Sequence, residues 1–282
     1  MDNQLIEDGI VELIRRAETI LPADVINALE NAAEKEEGIP KIQLETILKN
    51  IRVAKESKRP ICQDTGIQFF FIKTGVDFPY LSEIKKWIYN AVRKATFEIP
   101  IRPNNVDPLT GENIGLNTPI INWELIPGDK VFITVLPKGA GSENMSILRM
   151  LQPNDGLENV KKTIIDFVIK AGGNPCPPTI IGIGIGGTSD LALLLGKKAL
   201  LKSIGERHPN PEIANLEKEL IYEINKSGTG PMGLGGKTTV LDVHIETTYR
   251  HPASLPVGIV IQCWAHRKAT MVIHPDLNWE FI

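Results

Sequence analysis

Apolar residues recur with a helical period from the start of the chain. Leu5, Ile6, Ile10, Leu13, Ile14 and Ala17 share one face of a helix over residues 5–20, and segments 23–36 and 41–57 continue in the same style. Residues 1–58 therefore predict a helical region. The pattern then changes: "IQFFFIK" (67–73), rich in β-branched and aromatic residues, predicts a strand. Residues 82–97 return to helical spacing, with Ser82 as N-cap. The polar, proline-rich passage 99–119 is too long for a simple connector, and ordered loops of that length tend to carry function. "KVFITVLPKGAGSENMS" (130–146) reads as a strand, a Gly-Ser loop and the start of a helix. Residues 157–171, 189–203 and 211–226 predict helices, and 179–185 predicts a short buried strand. Segments 238–246, 257–264 and 269–273 predict strands in the last third. With no internal repeat, low-complexity tract or linker, the expectation is one mixed α/β domain over 1–282. In it the helical N-terminal region packs on a mixed β-sheet core with surrounding helices.

Composition narrows the function classes. The 282 residues are 42% apolar and 23% charged, ordinary for a soluble globular enzyme. A net charge of −3 argues against a basic nucleic-acid surface. The acidic, amphipathic N-terminus lacks the basic and apolar regions of a signal peptide, and no apolar run has the length of a membrane span. The expectation is a cytoplasmic protein that binds neither nucleic acid nor membrane.

Two glycine-rich stretches invite a nucleotide reading, and both fail on context. Gly182, Gly184 and Gly187 satisfy G-x-G-x-x-G between a strand and a helix. A dinucleotide fingerprint also needs a second strand ending in an acidic residue. Glu206 stands at about the right distance, but "KSIGERHPNPEI" is a turn leading to another helix. In "GPMGLGGKTT" (230–239), Lys237 in the lysine position of a phosphate loop puts Pro231 where the first glycine belongs, and a helix precedes the loop. Both runs remain as places where backbone approaches something closely.

Three cysteines, Cys62, Cys176 and Cys263, are too few for a secreted disulfide framework, and no two form C-x-x-C. Each sits where irregular sequence meets a strand: Cys62 in "RPICQDTGIQ", Cys176 in "GGNPCPPT" and Cys263 at the end of "VGIVIQC". Prolines on both sides of Cys176 suit rigid presentation of one side chain. Three thiolates can hold zinc or an iron–sulfur cluster. A cluster with only three cysteines keeps one iron open, which favours catalysis over electron carriage. The bland alternative is three buried thiols.

"CQDTG" (62–66), "GSENM" (141–145), "NPCPP" (174–178), "GIGGTSD" (184–190), "GPMGLGGKTT" and "RHPASLPVGIVIQCW" (250–264) together resemble the iron–sulfur hydro-lyases of the class I fumarase / L-tartrate dehydratase family. The match is to the alpha subunit or N-terminal domain and runs from about residue 5 to 280. The resemblance implies a [4Fe–4S] cluster on Cys62, Cys176 and Cys263. It also implies substrate contacts from Gln63, Asp64, Arg102, Gly141 and His251. It further implies a separately encoded beta subunit that completes the cleft, in an assembly of two alpha and two beta subunits, because the family's C-terminal domain has no counterpart here.

Hydration of a dicarboxylate alkene needs a carboxylate clamp, an activated hydroxyl and a proton acceptor at the adjacent carbon. Arg102 suits the first, Asp64 is a credible acid or base beside a ligand cysteine, and His251 is a donor near neutrality. Each has a structural counter-reading. Asp64 can cap the "DTG" turn, His251 can be a turn residue pairing with Glu246, Arg102 can be a solvated loop arginine, and Lys237 can bind a loop carbonyl. The expected reaction is reversible hydration of fumarate to (S)-malate, with dehydration of L-tartrate to oxaloacetate as the close alternative. A non-catalytic metal-binding or redox module is the competing class.

Overall fold

The computed structural model describes residues 2–282. In chain order the elements are α1 (Asp2–Thr19), α2 (Ala23–Lys35), α3 (Gly38–Ser57), β1 (Ile67–Gly75), α4 (Ile84–Glu98), β2 (Ile120–Ile126) and β3 (Val131–Lys138). Then follow a single turn α5 (Ala140–Glu143), β4 (Ser146–Leu151), α6 (Gly156–Ala171), β5 (Thr179–Gly187), α7 (Ser189–Ala199), α8 (Pro211–Asn225), β6 (Val240–Arg250), β7 (Leu255–Gln262), β8 (Ala269–Ile273) and β9 (Trp279–Phe281). The fold is mixed α/β, as the periodicities imply. No helix among the described residues is long and apolar enough to cross a membrane.

The chain divides into two compact units. One comprises Met1–Pro22, Asn50–Gly139 and Arg267–Ile282; the other comprises Ala23–Lys49 and Ala140–His266. Within the helical N-terminal region, α1 belongs to the first unit and α2 to the second, and the boundary falls inside α3.

The first unit carries a five-stranded mixed sheet in the order β2-β1-β3-β8-β9. β1 runs parallel to β2 and antiparallel to β3. The periodic face of α1 (Ile6, Ile10, Leu13, Ile14) joins Trp87, Ile88, Ala91 and Val92 of α4 in one core with Phe70, Ile72, Ile133, Val135 and Met271 of the strands. The predicted start of α4 shifts: the helix opens at Ile84 with Glu83 in the cap position, and the Ser82 hydroxyl bonds the Glu83 carboxylate instead of capping.

The second unit carries a four-stranded mixed sheet, β4-β7-β5-β6. Its strands alternate between faces, as the pleat requires. Ile181 and Ile183 of β5, Val243 and Ile245 of β6, and Val257, Ile259 and Ile261 of β7 pack with Val160, Ile164 and Val168 of α6 and Leu216, Leu220 and Ile224 of α8. The opposite face takes α7 at backbone contact. A Cβ on Gly182 would lie 2.0 Å from the Gly196 carbonyl, and one on Gly184 would lie 2.0 Å from the Ala192 carbonyl. The first two glycines of the apparent dinucleotide fingerprint are thus strand residues that admit a helix, not a loop around a phosphate.

Each remaining anion-like loop already holds a carboxylate of the chain itself. At the start of α7 the Thr188 hydroxyl bonds the Asp190 carboxylate at 2.5 Å; that bond and the N–H groups of Asp190 and Leu191 hold its carboxyl below the usual range. In "GLGGKTT", Glu36 accepts the N–H of Lys237 at 2.7 and 2.9 Å and that of Thr238 at 2.6 Å. The Lys237 ammonium donates to the Lys35 carbonyl at 2.9 Å, the loop-carbonyl role foreseen for it. Glu36 is 2% exposed, so its removal strands N–H donors away from water. Glu36→Ala is expected to cost about 3 kcal/mol of stability and Glu36→Gln roughly half of that, read from urea unfolding.

Candidate active site

In the first unit the "CQDTG" segment is a bend between α3 and β1, clamped on several sides. The Ile61 N–H donates to the Glu18 carbonyl at 2.9 Å. The Gly66 N–H donates to Asp64 Oδ1 at 2.9 Å, so Asp64 does cap its own turn, with its carboxyl half-buried. Gly66 sits at φ 69° with its missing Cβ 2.5 Å from the Lys138 backbone, a place that only glycine can occupy. The missing Cβ of Gly139 would lie 2.9 Å from Asp64 Oδ2, so a glycine backbone also flanks the carboxylate. Cys62 is half-buried and Gln63 exposed.

The long loop 99–119 is tied to this bend. Thr65 Oγ1, buried, accepts the Arg102 N–H at 3.0 Å and Asn104 Nδ2 at 3.1 Å, and Asn104 Nδ2 also bonds the Gly66 carbonyl at 3.0 Å. Asn117, buried, accepts the Asn104 N–H at 3.0 Å and donates to the Arg102 carbonyl at 2.9 Å. Arg102 is therefore rooted by its backbone beside Cys62–Thr65 while its side chain is exposed. Asn104 and Asn117 were not singled out in the sequence. Their only local signal was Asn within a turn-rich passage, which is unremarkable.

In the second unit Cys176 is one of the few non-glycine residues with a left-handed backbone, at φ 55°. Such a residue costs on the order of 1–3 kcal/mol and persists only where its surroundings enforce it. Here Pro175 and Pro177 flank it, its N–H donates to the Gly173 carbonyl at 3.1 Å, and its carbonyl accepts the Trp264 N–H at 3.2 Å. That last bond sets Cys176 beside Cys263, because the antiparallel register of β5 on β7 pairs Ile180 with Gln262. The Met232 N–H donates to the Pro177 carbonyl at 2.7 Å, so the 230–236 loop braces the same turn. Gly141 joins them: its missing Cβ would lie 3.4 Å from the Asn174 carbonyl.

His251 does not join them. It is exposed in the β6–β7 turn, where its Nδ1 accepts the Ala253 N–H at 3.1 Å; Glu246, its sequence-based alternative partner, pairs with Lys202 at 2.6 Å. β7 runs straight from that turn to Cys263, which puts His251 and Cys263 about 25 Å apart at ~3.3 Å per residue. The short sequence interval between them is consumed by an extended strand.

No cysteine forms a disulfide, and all three are half-buried. Among the described residues no three His, Cys, Asp or Glu side chains gather as a site for a single metal ion. The fit to a cofactor lies in donor chemistry instead: thiols held at rigid loop–strand junctions, one in an enforced left-handed backbone, suit an iron–sulfur or zinc group.

The family described as fumarate hydratase (fumerase) matches residues 7–272. This chain belongs to that family. As a member of it, the protein is a hydro-lyase. It is 52% identical over 280 residues to a protein of Methanocaldococcus jannaschii named putative L(+)-tartrate dehydratase subunit alpha, covering 96% of this chain and 98% of that one. It is also 38% identical over 268 residues to the L(+)-tartrate dehydratase subunit alpha of Escherichia coli and to that of Shigella sonnei, covering 93% of this chain and 88% of each relative.

Proposed function

We propose that this chain is the alpha subunit of an iron–sulfur hydro-lyase that dehydrates L-tartrate to oxaloacetate and is completed by a separate beta subunit, two copies of each forming the enzyme. The observation that carries this reading is similarity along nearly the whole chain to proteins named as alpha subunits of L(+)-tartrate dehydratase. Hydration of fumarate to (S)-malate is the second reading, favoured by the description of the family. Both reactions act on a four-carbon dicarboxylate whose hydroxylated form has the hydroxyl beside a carboxylate.

Cys62, Cys176 and Cys263 would hold a [4Fe–4S] cluster, which when bound supplies an iron without a cysteine as a Lewis acid for a substrate oxygen. Asp64 is the group on this chain that exchanges a proton with the substrate, and the Gly66 N–H on Oδ1 keeps its carboxylate in one orientation. Arg102 clamps a substrate carboxylate through its forked N–H donors, with its backbone anchored on Thr65. Gln63 and the Gly141 backbone supply further hydrogen bonds to the substrate. His251 is the remaining candidate contact, an imidazole that donates a hydrogen bond to substrate near neutrality.

Iron and acid-labile sulfide, measured per chain after anaerobic reconstitution, are expected at about four each and well below one in Cys176→Ser. Zinc instead, or no metal with unchanged folding, overturns the reading. With its beta subunit, the reconstituted chain is expected to release oxaloacetate from L-tartrate. Malate from fumarate, with no oxaloacetate from tartrate, selects the second reading.

A further inference from the structure

Beneath the Cys62–Thr65 bend lies a charged group that the chemistry above does not use. Glu18, in the last turn of α1, is fully buried, and Arg267, just before β8, is 1% exposed. Arg267 Nη1 donates to Glu18 Oε2 at 2.7 Å, and Gln68 Nε2, also buried, donates to Glu18 Oε1 at 2.9 Å. Both donors have a second partner in the bend: Arg267 Nη2 bonds the Asp64 carbonyl at 2.9 Å, and Gln68 Nε2 reaches the Thr65 carbonyl at 3.3 Å. The Glu18 backbone carbonyl holds the other flank through the Ile61 N–H at 2.9 Å. One residue of α1 thus grips the chain before Cys62 directly and after it through two intermediaries. Burial pushes the Glu18 carboxyl up, and Arg267 only partly opposes that. Such a pair is a poor device for stability alone, since apolar residues of similar volume commonly serve a core as well or better. Its geometry accounts for its presence, because an apolar pair reaches no carbonyl.

We infer that the side chains of Glu18 and Arg267 are positioning groups that fix the backbone just after Cys62, at Asp64 and Thr65, and so set the direction of the Cys62 thiol and the Asp64 carboxylate. The inference rests on the proposed roles of Cys62 and Asp64 but concerns a property of the metal-free chain. Loss of the grip frees the bend without disturbing Cys176 or Cys263, which lie on other segments with their own braces.

The test compares the full-length metal-free chain with the Glu18→Leu/Arg267→Met double variant. It reads iodoacetamide alkylation of each cysteine by mass spectrometry, together with the unfolding midpoint. The double variant removes a buried ion pair but takes partners from the Gln68 amide and the Asp64 carbonyl, so it is expected to stay folded with a midpoint lowered by a few degrees. Cys62 should be alkylated about tenfold faster through the loosened bend, with Cys176 and Cys263 unchanged. A folded double variant with the parent's Cys62 rate overturns the inference. Should the double variant fail to fold, Arg267→Lys takes its place: an ammonium keeps the charge opposite Glu18 but lacks the fork that also spans to the Asp64 carbonyl. The same selective acceleration there supports the inference, and the parent's rate overturns it. Failure of the cluster reading looks different, as a parent chain that takes up no iron, and leaves the alkylation comparison intact.

Discussion

Asp64→Asn in the assembled, reconstituted enzyme is expected to lower kcat by about 10²–10⁴-fold, the range for loss of a general acid or base. The substitution separates the two roles of this side chain. As a turn cap it needs only an oxygen to accept the Gly66 N–H, now at 2.9 Å, and an asparagine amide oxygen does that equally well. As an acid or base it needs a carboxylate that can gain and lose a proton, which the amide cannot. The unfolding midpoint and iron content should therefore match the parent's while turnover collapses. KM should change far less than kcat, because binding of the substrate carboxylates is assigned to Arg102. Near-parent turnover by this variant would reduce Asp64 to the turn cap.

Gly184→Ala is expected to destabilise the chain by about 3 kcal/mol or more. A new Cβ would stand 2.0 Å from the Ala192 carbonyl oxygen and 2.7 Å from Leu195 Cβ. The first obstacle is helix backbone, which cannot swing aside as a side-chain tip can, so α7 must lift from β5. That movement also opens the contacts at Gly182 and Gly258, where added Cβ atoms would lie 2.0 and 2.5 Å from α7 backbone. Thermal unfolding should fall by about 6–12 °C. Gly141→Ala is the contrasting case: its nearest obstacle is the Asn174 carbonyl at 3.4 Å, and it is expected to lose about 1 kcal/mol or less. Equal losses from the two substitutions would mean that the glycines of β5 are not there for close packing.

The elements legible in the sequence were those whose burial is one-sided and long. The face Ile6, Ile10, Leu13 and Ile14 gave away α1, and the run at β7, buried throughout, needed only its length and turn flanks. β2 escaped because it is an edge strand, exposed or half-buried along its length, so "IINWELI" shows no clean alternation. "SILRML" begins where the sequence suggests only the start of a helix, at the end of 130–146; it is a strand because it pairs with β7 in antiparallel register. β9 has three residues, fewer than any period can reveal. The cysteines stood out because proline, glycine and turn residues mark rigid junctions locally. Their supports did not. Arg267 meets Glu18 across 249 positions and Glu36 meets Lys237 across 201, and no window along the chain contains both partners.

By itself, then, the sequence determined what local chemistry can determine: amphipathic helices, buried strands, three thiols at chain junctions and the family they mark. Tertiary structure decided everything that depends on which partner arrives. It assigned α1 and the C-terminal strands to one unit and α2 to the other. It turned a nucleotide-like glycine run into the seat of α7, and filled the second glycine loop with Glu36. It put Cys263 beside Cys176 and left His251 at the far end of β7. The physical reason is the same in each case. Hydrogen bonds must be satisfied and backbones must pack wherever burial occurs, and the groups that meet those demands come from segments far apart along the chain.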